Sequence, residues 1–447
     1  MKALFTNAML GLVALSCHQS SDVPMTEWQE QGIASYAEIQ HGLPTYEGVT
    51  GVYKRKNEAN LTVSLAEPSV VSVADQEYGW GYFQFPNIYR ALDGRLVASW
   101  NMGADAAESY GKGLNSFAVS SDEGKTWEEV EGEMPLGGGL VLKDGTSIKN
   151  HTPVALKVSE LDLPKPVDSN KEAYGRSFAY YRMSELPDTL RGVYIARLSP
   201  GNSRWNVEHN VLNDPEALRY TDGNLFPVVW WGDMRIEADG SVATVTYPSF
   251  YEVSGKVPAA GVSFYRSKDG GKSWDIVSKI PYQPDLKLDS NGGKRLSLGF
   301  TEPAFEILKD STYLCVMRTT DGLGNSPMYL SSSDDRGRTW TKPQVFTSSG
   351  VLPKLLQLDN GVLVLASGRP GMQLRFSTDG KGHKWTDPFE MLPFEGQKEQ
   401  VSCGYPDLLP LGPNRFLVIY SDFSHKNEKG EIRKAIKVRE VTVEQVE

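Results

Sequence analysis

Cysteine is scarce in this chain, with 3 among 447 residues, which excludes a disulfide-stapled scaffold and a multi-cysteine zinc module. Histidine is nearly as rare. His18, His41, His151, His209, His383 and His425 show no ligand spacing, and no acidic loop carries an EF-hand pattern. On these grounds neither a metal nor a cofactor is expected. Positive charge is also short: 46 Lys and Arg stand against 56 Asp and Glu, a formal net charge of −10. Neutralising phosphates takes clustered Lys and Arg, so a nucleic-acid partner is excluded. Past the first residues no run approaches the ~18 apolar residues of a membrane-spanning helix, and long amphipathic helical patterns are missing. The chain does have 40% hydrophobic residues, 43 Gly, 10 Trp and 20 Tyr. This is enough apolar material for a full core, and its character leans toward an all-β protein.

The N-terminus reads as an address. Met1-Lys2 precedes an apolar stretch from Ala3 to Ser16, too short to span a bilayer, which ends at Ala14-Leu15-Ser16-Cys17. This end resembles a bacterial lipobox, with Cys17 as the lipidated residue; the alternative is an ordinary cleaved signal with a chance cysteine. The expectation is a secreted protein of the bacterial periplasm or cell surface, touching the membrane only through a lipid anchor at Cys17. Residues 1–17 are then signal, 18–80 an N-terminal lead with a closure strand, and 81–447 the folded domain.

Length alone suggests about three domains, but internal repeats argue for one. Ser-x-Asp-x-Gly-x-Thr/Ser-Trp occurs at Ser120–Trp127, Ser267–Trp274 and Ser333–Trp340, with a longer copy at Ser377–Trp385 and a degenerate one at Ser199–Trp205. In each clean copy the Asp can bind backbone N–H groups, the Gly takes an unusual φ, and the Trp packs under the turn. These turns resemble the Asp boxes of sialidases and other β-propellers, where they are peripheral and structural. A second repeat, a hairpin turn followed by an apolar strand, falls at Asp93-Gly94, Asp144-Gly145, Asp239-Gly240, Lys309-Asp310-Ser311, Asp359-Asn360-Gly361 and Gly412-Pro413-Asn414. Six hairpins predict a six-bladed β-propeller. Ala435–Val446 reads as an outer strand, and Pro68–Val73 as a partner for ring closure.

The hairpins also predict which residues meet. At ~3.3 Å per residue, a residue about eight before a turn lies near one about eight after it. Glu302 and Arg318 bracket Asp310, Gln84 and Asn101 bracket Asp93-Gly94, and Tyr405 and Ser421-Asp422 bracket Pro413. Arg369, His151 and Tyr247 end the strands after their own turns. Ring geometry gathers all of these at one mouth. Exposed Arg is usually solvated surface and a lone Tyr usually packing, but a converging set carries more weight. Paired guanidinium groups form a fork for a carboxylate or sulfate, and a Tyr beside a Glu can be deprotonated as it attacks.

On these residues the chain resembles the bacterial exo-sialidase family over most of residues 80–425. Thr301–Leu308 with Met317-Arg318 is similar to the stretch supplying a glutamate and the second arginine of a carboxylate-binding triad. By that resemblance Glu302 activates the nucleophile and Arg318 holds the anion. Gly404–Leu409 resembles the tyrosine segment, making Tyr405 the nucleophile, and Ala366-Ser367-Gly368-Arg369 places Arg369 as another triad arginine. The first blade departs from the pattern: the family's Arg-Ile-Pro stands here as Gln84-Phe85-Pro86, so one arginine is missing. Gln84 or Asn87 can supply a hydrogen bond there, and Arg235 is a substitute cation. The acid/base falls in the loop Asn101–Asn115, where counting favours Glu108 without excluding Asp105. The implied function is release of a terminal, acidic sugar from a glycan or glycoconjugate. The competing expectations are a non-catalytic glycan-binding propeller, or an enzyme on another acidic sugar acting through His151 or Asp105. Cys315 and Cys403 read as small buried hydrophobes. Trp230-Trp231, Tyr247 and Tyr251 are either a sugar-stacking wall or core packing.

Overall fold

Inner-strand hairpins organise the chain into an all-β propeller. The computed structural model describes residues 51–54, 61–230, 232–319, 326–369, 371–392 and 400–445. The signal, Cys17, His18, His41 and Trp231 lie outside them. The ring strands resolve into six antiparallel blades, four strands each in blades I to V and six in the sheet of blade VI, where Gly51–Lys54 also pairs with Leu61–Leu65. Blade I is Tyr82–Arg90, Leu96–Met102, Asn115–Ser120 and Glu128–Glu129. Blade II is Leu140–Val141, Ser147–Asn150, Val193–Leu198 and Asn206–Asn213. Blade III is Met234–Ile236, Val242–Ser249, Gly261–Ser267 and Ser273–Ile280. The fourth strands of blades II and III pair in parallel, joining the two blades into one eight-stranded sheet. Blades IV (Phe300–Ile307, Tyr313–Thr319, Met328–Ser333, Gln344–Thr347) and V (Val351–Gln357, Leu363–Gly368, Met372–Ser377, Phe389–Leu392) are separate sheets.

Both ends of the chain build blade VI. Asp407–Gly412, Arg415–Lys426 and Ile432–Gln445 are its first three strands, and Leu61–Leu65 is the fourth, with Leu61 opposite Gln445. Ser69–Val73 pairs with the same C-terminal strand, Ser69 opposite Val438. The C-terminal strand is therefore third in its blade, because Leu61–Leu65 covers its outer edge. All six hairpin turns expected from sequence join first and second strands. All five Ser…Trp turns, the degenerate one included, join third and fourth strands.

In those turns the aspartate replaces missing backbone partners. Asp122 Oδ1 accepts from the amides of Lys125 (3.1 Å) and Thr126 (2.9 Å), while Trp127 Nε1 donates to Gly124 O at 3.1 Å. Asp269 repeats the pattern, and Trp274 is fully buried among Ile148, Trp230 and Tyr265. The turns thus pin the blade rims, away from the axis.

One element has no counterpart in the hairpin count. A five-stranded sheet is inserted around blade II, with strands Leu156–Lys157, Asp168–Ala173, Arg176–Arg182, Leu218–Asp222 and Leu225–Phe226. Its hairpin turns at Tyr174-Gly175, both with left-handed φ of 53° and 70°, as a two-residue primed turn requires. The tip leans on blade I: Arg176 Nη2 lies 3.1 Å from Glu108 Oε2.

Candidate active site

The start of each inner strand decides what reaches the axis. In blades I, IV and V a proline sits inside a register shift, between Gln84 and Asn87, Thr301 and Ala304, and Val351 and Lys354. Proline has no N–H for the ladder and is tolerated in such bulges. The residue before it takes a positive φ within the bulge: Phe85 at 53°, Glu302 at 45° and Leu352 at 36°. These three, together with Tyr405 before Pro406 in blade VI, line a cavity of ≈ 540 Å³ at the axis.

Within the cavity the Tyr405 hydroxyl donates to Glu302 Oε1. Arg318 Nη1 donates to both, 2.6 Å from Glu302 Oε1 and 2.8 Å from the Tyr405 hydroxyl. The Leu352 amide holds the second carboxylate oxygen of Glu302 at 3.0 Å. Burial opposes ionisation of Glu302, but the Arg318 charge and these hydrogen bonds win and hold it below its usual range. Burial and the Glu302 charge push Tyr405 well above its usual value. At neutral pH the pair is therefore a carboxylate holding a phenol proton, with a guanidinium ready to stabilise the phenolate as that proton moves.

Of the two acid/base candidates, Asp105 lines the cavity and Glu108 does not. Glu108 has a side chain 55% exposed and points its carboxylate at Arg176. Its own backbone amide and Arg176 lower its pKa. Asp105 Oδ2 accepts from Trp80 Nε1 at 2.8 Å. Tyr110 also lines the cavity, its proton held by burial and by the charges of Asp105, Asp222 and Glu302. Asn101 lines the cavity too, but its amide nitrogen is spent on Gly81 O and Gly103 O, both at 2.7 Å. It ties the loop that carries Asp105 to Gly81, at the start of the folded domain. Gly81, at φ 100°, permits that contact, since a Cβ there would fall 2.4 Å from the Asp105 amide.

The remaining expected residues divide. Tyr247 lines the cavity, held protonated by burial and by the Glu302 charge. Arg369 does not line it but lies beside Tyr405, its guanidinium 5.5 Å from that ring, with Nε donating to Cys403 O at 2.9 Å. Gln84 is 0% exposed, its amide atoms have no partner among the described residues, and it does not reach the site. The bulge hands the axial position to Phe85, which packs edge-on to Tyr405 at 4.8 Å. Arg235 is also out of the cavity: its Nε pairs with Glu306 at 2.9 Å. His151 falls between two lining residues, Asn150 and Thr152, but does not line the cavity itself; burial and Lys149 lower its pKa. Trp230 lines one wall while packing on Tyr265 and Trp274, so it serves both core and cavity. Tyr251 instead takes Lys279 over its ring. Cys315 and Cys403 are buried free thiols.

Sequence reasoning named Asn87 but missed Lys354 and Asp407, the polar residues carried just beyond the Pro bends of blades V and VI. Asn87 Nδ2 donates to Asp407 Oδ2 at 2.5 Å, and Lys354 Nζ lies 3.5 Å from Asp233 and 3.8 Å from Asp407. Burial pushes Asp407 up against the pull of Lys354, while Asp233 stays below its usual range because Lys354 and Arg235 outweigh its burial. The signal was present: Phe-Pro-Asn, Leu-Pro-Lys and Tyr-Pro-Asp recur at the same place in three blades. Among the described residues no group of three or more His, Cys, Asp or Glu is arranged to hold a metal ion.

Comparison with known proteins finds likeness of fold. No protein-family model and no curated sequence matches the chain. Among solved structures, a protein of unknown function from Dyadobacter fermentans is 19% identical, with TM-score 0.55, over 86% of this chain and 99% of that one. An alpha-L-arabinanase from Penicillium chrysogenum, solved with arabinobiose, is 14% identical with TM-score 0.47, over 84% of this chain and 98% of its own. A sialidase from Streptococcus pneumoniae is 14% identical with TM-score 0.44, over 83% of this chain and 70% of its own.

Proposed function

We propose that this chain is a glycoside hydrolase acting on a terminal sugar by double displacement. The observation that carries the reading is the Tyr405 hydroxyl bonded to Glu302 and Arg318 in a cavity that Asp105 also lines. Tyr405 Oη attacks the anomeric carbon as its proton passes to Glu302. The glycosidic C–O bond breaks, and the leaving oxygen takes a proton from Asp105. Water then attacks the same carbon, giving its proton to the Asp105 carboxylate. The phenolic oxygen departs and recovers its proton from Glu302. Two inversions retain the anomeric configuration.

The charge of the lining bears on the sugar. Among the lining residues four carboxylates, Asp105, Asp233, Glu302 and Asp407, face one cation, Lys354, and the Arg318 guanidinium offsets Glu302. An uncharged sugar gripped through its hydroxyls suits that wall better than an acidic one. One observation favours an acidic sugar such as sialic acid: Arg318 and Arg369 both flank Tyr405. A panel of 4-nitrophenyl glycosides separates the two. Neutral pentosides and hexosides are expected to be hydrolysed at least tenfold faster than the sialoside. The reverse order would assign the arginines to a substrate anion, and glycan binding without hydrolysis of any substrate would favour a lectin-like propeller.

We place the protein outside the cytoplasm, anchored through a lipid on Cys17. Labelled palmitate is expected to enter the wild-type protein in its bacterial host and not Cys17→Ser; equal labelling of both would remove the anchor.

A further inference from the structure

We propose that Trp80, a residue of the N-terminal lead, is the positioning residue of the acid/base Asp105, and the proposal rests on the glycosidase reading above. Its indole Nε1 donates to Asp105 Oδ2 at 2.8 Å, leaving Oδ1 without a partner among the described residues. An N–H fixed on one carboxylate oxygen sets the plane of the group and presents the other oxygen for proton exchange. The same ring covers the Arg369 guanidinium at 5.0 Å and meets Phe423 edge-on at 6.2 Å. Asp105 of blade I, Arg369 of blade V and Phe423 of blade VI therefore converge on one indole.

Two facts separate this arrangement from ordinary packing. Trp80 is 43% exposed, so burial of its ring does not account for its position. Its backbone is nonetheless held from both sides. Lys434 Nζ donates to Gly79 O at 2.6 Å and to Tyr82 O at 3.1 Å, and Asn101 donates to Gly81 O at 2.7 Å. Gly81 packs so closely on the Asp105 loop that no side chain fits there. A rigid backbone thus carries an exposed indole to one carboxylate oxygen. An acid displaced by about 1 Å loses on the order of a hundredfold in rate, so such bracing has a kinetic consequence.

The test compares Trp80→Phe with wild type on two substrates of the preferred sugar, its 4-nitrophenyl glycoside and its phenyl glycoside. Phenylalanine keeps a ring for Arg369 but has no N–H. Protonation matters more for the poorer leaving group, so kcat/KM for the phenyl glycoside is expected to fall roughly tenfold or more, and for the 4-nitrophenyl glycoside much less. In an Asp105→Asn background the same substitution is expected to cause no further loss, because residues acting as one unit are not additive. Equal losses on both substrates, no loss on either, or full additivity with Asp105→Asn would overturn the proposal. Asp105→Asn cleaving the phenyl glycoside at the wild-type rate is a different failure: it removes Asp105 as the acid, and with it the reading on which the role of Trp80 depends.

Discussion

Tyr405→Phe is expected to lower kcat by about a thousandfold or more, equivalent to a barrier raised by roughly 4 kcal/mol. The substitution deletes one oxygen and little else. The ring keeps its edge contact with Phe85 and its place under Arg369, so the thermal midpoint should move little. The oxygen itself lies in a partly buried hydrogen-bonded triangle, 2.8 Å from Arg318 Nη1 and bonded to Glu302. Without it no atom of that triangle can bond to an anomeric carbon except a Glu302 oxygen, and those are held by Arg318 and the Leu352 amide. Initial rates of the folded variant on the best substrate of the panel check this. A rate equal to wild type would end the tyrosine mechanism.

Glu302→Gln is expected to cost a hundredfold to a thousandfold in kcat, on the order of what general-base assistance contributes. An amide cannot take the phenol proton, and Arg318, nearly buried, loses its only described anionic partner. The same carboxylate sets a pH limit. Its pKa in the folded protein lies below the usual range, with burial outweighed by Arg318. Glu302 must be ionised to act, so the wild-type rate should persist on its account until the pH falls beneath the ordinary glutamate value of ~4.3. The linkage has the same sign: the depressed pKa stabilises the fold above that range, and this contribution is lost as pH falls through the folded-state value. Glu302→Gln should remove that part of the acid sensitivity of the thermal midpoint. Wild-type kcat in this variant would show that Glu302 is structural.

Tyr405 and Glu302 were legible in the sequence because each lies at a fixed distance from a hairpin turn, so counting residues brought them together before any chemistry was invoked. The count reached the residue before the proline in blade IV, Glu302, but stopped one residue short of it in blade I, at Gln84. A one-residue shift exchanges the two faces of a strand, and between Gln84 and Asn87 such a shift buries the glutamine and sends Phe85 to the axis. Arg235 was misplaced for another reason: it lies in the short strand after the cavity residue Asp233 and pairs with Glu306, which does not line the cavity. The inserted sheet was illegible because two of its strands are only two residues long, Leu156–Lys157 and Leu225–Phe226, and pair across a long separation. It nevertheless decides between the acid candidates, since Arg176 at its hairpin draws Glu108 away from the cavity. Trp80 was missed because the lead was read as closure alone.

The central claim is a covalent bond from the sugar to Tyr405. The measurement is intact-protein and peptide mass spectrometry after incubation with an activated fluorinated glycoside of the preferred sugar, which slows hydrolysis of the intermediate more than its formation. The account predicts one added fluoroglycosyl group per chain, located on Tyr405 and absent from Tyr405→Phe. A label on Glu302 or Asp105, or turnover with inversion of the anomeric centre, would contradict it.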